Sequence, residues 1–231
     1  LPADAARVGV GGSGLGLPRG CVGAADPPCP TLRVVTARSF APVLAAVAPA
    51  VCGRLEVTVA DGRGAAARAA EVGADLWLPD DASWRGAPGR LALADDPPDV
   101  VASSPVYFVT DADTAGRITQ QGGGWGALAG LVAAPGSPIR LVAHAPGASG
   151  DGLLALGAVG EAVWLADGMD ASADALAIAF PRMRVVADDA PAIPRRAGEV
   201  GLVTERELRT AETAGLKVIA PADHTAQLRY S

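Results

Sequence analysis

No stretch of this chain approaches the ~18 consecutive apolar residues of a membrane-spanning helix, although half of its residues are hydrophobic. Lysine is nearly missing: Lys217 stands alone among the 19 basic residues, and no basic cluster forms. With a formal net charge of −6, that pattern argues against nucleic acid as the main partner. Aromatic residues make up only 4% of the chain. The apolar content is mostly Ala and Val, which suits short helices packed closely on a sheet. Histidine occurs only as His144 and His224, without a shared metal-ligand spacing, so no zinc site is expected. HExxH, Walker A and GxSxG motifs are absent. With no catalytic constellation in view, neither an enzyme nor a bound cofactor or metal is expected.

What is present begins with an irregular segment. Residues 1–30 are rich in Gly, Pro and Ala, lack sustained periodicity, and read as a leader or linker. No positively charged, apolar signal peptide opens them. Gly9, Gly11 and Gly14 have the spacing of a dinucleotide-binding turn, but LPRGC follows where that motif requires a helix. The linker reading is preferred. Beyond it, the 231-residue chain is long enough for one large domain or two smaller ones.

From Leu32 onward, β-branched runs alternate with Ala-rich segments. Strands are expected at 32–36, 55–61, 75–79, 100–110, 139–145, 183–188, 199–204 and 217–222. Helices are expected at 40–51, 65–73, 124–134, 151–164 and 205–215. Such alternation defines an α/β fold with mainly parallel sheets, whose strands stay continuously apolar because both faces are covered. The run at 100–110 is unusually long and contains Pro105, a residue central strands avoid.

Cys29 and Cys52 each lie three positions before the leucine that opens a strand. If those strands are parallel neighbours ~4.8 Å apart, equal offsets place the two sulfurs within disulfide reach. The coincidence favours a bridge over two buried free thiols, and a bridge implies an oxidising compartment. Cys21 is left over, either competing for a partner or free.

Polar residues gather where strands should end. Thr36 and Ser39 offer hydroxyls near a helix start, with helix capping the simpler role for Ser39. Asp80, Asp81 and Trp84 follow the third strand, either as ligand groups or as a cap and core packing. The Gly-rich loop HAPGASGDG (144–152) joins a strand to a helix, and its lone histidine reads as structural.

The order of these segments, with Trp77-Leu-Pro-Asp80 and the Val-Thr-Glu turn at 203–205 as its most specific parts, resembles the bacterial extracellular solute-binding proteins of the two-lobed type II class. The similarity runs from Leu32 to the C-terminus and is nearest to substrate-binding domains found beside von Willebrand A domains. It implies a periplasmic-binding-protein-like fold, with 31–104 as lobe one, 105–198 as lobe two and 199–231 returning to lobe one, which stops earlier than in the family. It implies a small polar or charged solute held between the lobes without catalysis, and an extracellular or cell-surface location. A membrane transporter or an adjoining von Willebrand A domain would be the further partner. Carried over, the ligand residues are Thr36, Arg38, Ser39, Asp80, Asp81, Trp84, Ser103, Ser104, Ser149, Thr204 and Glu205. Arg38 departs from the family's small or hydroxyl residue. The alternative is a degenerate member that serves as an interaction or scaffold module, its cleft vestigial.

Overall fold

The computed structural model describes residues 29–86, 99–223 and 226–230. The Gly-x-Gly-x-x-Gly stretch, Cys21, His224 and nearly all of the expected leader lie outside the described residues.

Three parallel strands form a small sheet: β1 (Thr31–Thr36), β2 (Arg54–Val59) and β3 (Leu76–Leu78), in the order β2-β1-β3. Between them run α1 (Ala41–Val47) and α2 (Ala65–Glu71). The register pairs Thr31 with Arg54, so the residues two positions earlier, Cys29 and Cys52, meet at the same edge. They form a disulfide with a Cα–Cα separation of 5.7 Å.

The second sheet has the order β6-β5-β7-β4-β8, with β9 also paired to β4. It comprises β4 (Ala102–Thr110), β5 (Arg140–His144), β6 (Arg184–Val186), β7 (Glu199–Thr204), β8 (Lys217–Ile219) and β9 (Gln227–Tyr230). The β5–β6 and β5–β7 pairs are parallel, whereas β4 runs antiparallel to β7, β8 and β9. Every residue of β7 is buried, as expected for a central strand covered on both faces.

Five helices accompany this sheet: α3 (Ala112–Gln120), α4 (Trp125–Ala133), α5 (Gly150–Asp167), α6 (Met169–Arg182) and α7 (Glu205–Leu208). The sequence pattern did not reveal α3 or α6. The first is polar and starts on Asp111, whose carboxylate accepts the Thr114 N–H at 2.9 Å. The second is anchored by Ser172, which donates to the Gly160 carbonyl at 2.7 Å. The helix expected at 205–215 ends at Leu208, after which the chain tightens so that the Thr210 N–H donates to the Glu207 carbonyl at 3.0 Å.

Two cores result. One joins Val34, Phe40, Leu44 and Leu78 to Leu228 and Tyr230 of β9, with the Phe40 and Tyr230 rings stacked 4.9 Å apart. The larger fills the space between the second sheet and its helices, around Phe108 and Trp125 in edge contact. Strand β4 serves both. Ala102–Pro105 pairs with β9, and Val106–Thr110 pairs with β7. Pro105 therefore sits where β4 changes partner.

Candidate functional site

The carboxyl ends of β1, β3, β5, β6 and β7 and the loops after them converge on a cavity of about 250 Å³. Open α/β sheets place ligands at this end of their strands, because the connections to the following helices diverge there.

From the small sheet, the cavity receives Arg38, Ser39, Asp61 and Asp80. The Asp61 carboxylate accepts the Arg38 N–H at 2.7 Å, and the Arg38 Nε lies 3.4 Å from its other oxygen. Asp80 follows β3 and is buried. Its carboxylate accepts the Trp84 indole N–H at 2.8 Å and, across the gap, the Gly150 backbone N–H at 2.6 Å. Burial pushes its carboxyl up to about 6, a push that the Gly150 and Trp84 bonds oppose and the nearby Asp151 charge assists.

From the large sheet come His144, Ser149, Asp151, Thr204, Arg206 and Glu207, with Asp188 and Asp189 at the rim. Ser149 caps α5, its hydroxyl accepting the Gly152 N–H at 3.2 Å. Thr204 and Glu207 form a reciprocal capping box on α7, which turns the Glu207 carboxylate back toward β7. His144 ends β5, with Nδ1 2.6 Å from Asp151 and Nε2 2.9 Å from the Ala190 carbonyl. Glu207 stands 3.8 Å from the same Nε2.

His144, Asp151 and Glu207 are close enough to suggest a metal site, their ligand atoms lying within 4.8 Å of one another. The hydrogen bonds argue otherwise. A carboxylate and a carbonyl can only accept, so in this arrangement both ring nitrogens donate, and a metal would have to displace one of those protons. The ring is an imidazolium. Burial works against that charge, but Asp151 first, then Glu207 and the Ala190 carbonyl, outweigh it and raise His144 to about 9. Asp151 is lowered in turn: burial would raise it, yet His144 prevails. Glu207 is held above the usual carboxylate range by burial and by the Asp151 charge.

Of the residues expected at a site, Arg38, Ser39, Asp80, Ser149 and Thr204 line the cavity. Ser39 makes no capping bond, since α1 begins at Phe40 without a side-chain cap. The others lie elsewhere. Thr36 donates to the Leu78 carbonyl within the small sheet, and Asp81 accepts the Ser83 N–H. Trp84 is buried behind Asp80. Ser103 is exposed on β4, Ser104 accepts the Arg206 N–H, and Glu205 pairs with Arg209. Pattern reading missed His144, Asp151, Arg206, Glu207 and Tyr230. The available signal was a histidine closing a strand, with an aspartate in the first turn of the next helix.

The sequence matches no family model and no curated protein. Solved structures do match. The periplasmic binding protein P5PA superposes with a TM-score of 0.54 at 12% identity, over 87% of this chain and 72% of that one. The periplasmic binding protein AfuA from Actinobacillus pleuropneumoniae, solved with exogenous fructose-6-phosphate bound, gives a TM-score of 0.51 at 13% identity with the same coverage. These likenesses establish the fold. The chain has the two-lobed α/β architecture of periplasmic binding proteins, and the cavity lies between its lobes.

Proposed function

We propose that the chain is a solute-binding domain that holds a small polar or charged ligand between its lobes and performs no chemistry. The observation that carries this reading is the cavity itself, polar and lined from both lobes at the carboxyl ends of the strands. A ligand touching both lobes can favour their closure, whereas one touching a single lobe cannot. The matched periplasmic binding proteins, one with a sugar phosphate in place, support the same use of the fold.

We divide the lobes at 31–104, 105–198 and 199–231, the last segment supplying β7 and β8 to the large sheet and only β9 to the small sheet's core. The ligand residues are Arg38, Ser39, Asp80, Ser149 and Thr204. To these we add Arg206 and the rim carboxylates Asp188 and Asp189. Six carboxylates line the cavity against Arg38, Arg206 and the His144 imidazolium. Arg38 and His144 already face internal carboxylates. A ligand with an amine, or a zwitterion whose carboxylate reaches an arginine fork, matches that charge balance.

Among the described residues no helix is long and apolar enough to cross a membrane. The Cys29–Cys52 bridge favours an oxidising, extracytoplasmic setting, and a membrane transporter is the partner we propose. Nothing in the comparisons bears on a von Willebrand A neighbour. The second reading, an interaction module, draws on one observation: the lobes already bond to each other through Asp80–Gly150 and Arg63–Gly147.

Mass spectrometry of small molecules released by denaturing the purified protein tests the proposal, followed by calorimetric rebinding. Arg38→Ala should weaken the recovered solute at least about tenfold, equivalent to ~1.4 kcal/mol. Unchanged affinity removes Arg38 from the site. Recovery of no solute at all moves the reading to the interaction module.

A further inference from the structure

The N-terminus of an α-helix carries roughly half a positive charge and unpaired N–H groups, and so attracts anions. Helix α5 is 18 residues long and points its first turn into the interlobe cavity. That position is already filled. The Asp80 carboxylate, on the opposite lobe, accepts the Gly150 N–H at 2.6 Å while its second oxygen accepts the Trp84 indole at 2.8 Å.

The fit is built rather than incidental. Asp80 is only 5% exposed. Gly150 has no side chain, and a Cβ there would stand 2.7 Å from the Asp80 carboxyl carbon. The Gly152 donor of the first turn is taken as well. The Gly152 N–H lies on Ser149 Oγ at 3.2 Å and on its neighbour's Asp151 carboxylate at 2.8 Å. An incoming oxyanion would find its place taken by one carboxylate and flanked by another.

We propose that Asp80 is the internal counter-anion of the α5 N-terminus and a specificity-determining residue, which excludes free oxyanions from the cleft and leaves it to solutes that bring a positive group. The inference deepens the solute-binding reading and rests on it for the word specificity. The occupancy of the helix end by Asp80 stands apart from that reading.

The test uses the whole chain and inorganic phosphate as the probe, by calorimetry at pH 7.5 and by thermal shift. Wild-type protein should show no saturable phosphate binding and no stabilisation. Asp80→Ser vacates the position and Asp80→Asn keeps its size without the charge. Each should gain phosphate affinity by at least about tenfold, and circular dichroism identifies which of the two remains folded. Adding Gly150→Ala to Asp80→Ser should abolish the gain, because the methyl fills the vacated space. Wild-type binding as tight as that of the variants overturns the proposal, as does a folded charge-free variant that gains nothing. Phosphate that stabilises the wild type overturns it without any variant. Failure of the solute-binding reading is seen separately, as wild-type protein that releases no small molecule on denaturation.

Discussion

His144 shows how a single side chain can be decided by what accepts from it. Both ring nitrogens face acceptors, Asp151 at 2.6 Å and the Ala190 carbonyl at 2.9 Å, so the folded protein holds the proton that the unfolded chain releases at its ordinary value of 6.5. With the folded value at about 9, the contribution to stability is complete below pH 6.5 and is lost as pH rises through 9. It amounts to at most about 3 kcal/mol. Urea midpoints should therefore fall between those pH values. Asp151→Asn should flatten the fall and move the His144 NMR titration down toward the ordinary histidine range, since burial is then opposed only by Glu207 and the Ala190 carbonyl. Wild-type titration below pH 7 would remove the imidazolium. The sequence shows only two histidines, and a lone histidine carries no label for this arrangement. Its partners come from the next helix, from the loop after β6 and from α7.

At the scale of elements, the most legible feature was the equal offset of Cys29 and Cys52 from their strands. A parallel ladder in which Thr31 faces Arg54 preserves that offset, so spacing along the chain becomes proximity in space. The bridge matters because β2 is poorly buried, with only Leu55 and Thr58 partly sheltered. Its loss, through Cys29→Ser or reduction, should lower stability by about 2–4 kcal/mol, mostly by freeing the unfolded chain. Denaturant midpoints with and without reductant check this, and coincident midpoints would contradict it. Other elements were less legible for local reasons. Helix α3 lacks an apolar run, α7 closes after Leu208 in a tight turn on the Glu207 carbonyl, and β9 is a four-residue strand whose alternation becomes meaningful only beside β4.

Across the whole molecule, the two lobes meet at glycines. Gly62 has φ of 61°, and a Cβ on it would lie 2.6 Å from the Ala148 backbone of the other lobe. The neighbouring Arg63 N–H donates to the Gly147 carbonyl at 3.2 Å. Gly62→Ala should strain the backbone, cost more than about 1 kcal/mol, and force the lobes apart. Small-angle X-ray scattering would then show a larger radius of gyration. Gly64→Ala is the control, because nothing lies within 4 Å of its Cβ position. Indistinguishable scattering from all three proteins would mean that this approach does not hold the lobes together.

Arg38, Ser149 and Thr204 were reached through the family resemblance, whereas the sequence alone determined the α/β class, the run that becomes β4, the cysteine pair, and the strand ends where Ser39 and Asp80 would gather. These are matters of period, offset and local chemistry, and all of them survive in one dimension. Only the tertiary structure decided what the gathered groups do. Asp80 accepts from a helix 70 residues away, and Glu207 reaches His144 because a capping box turns its carboxylate back. Contacts of that kind depend on how two sheets are set against each other. That setting is made by packing across the interlobe gap, which no spacing within either segment encodes.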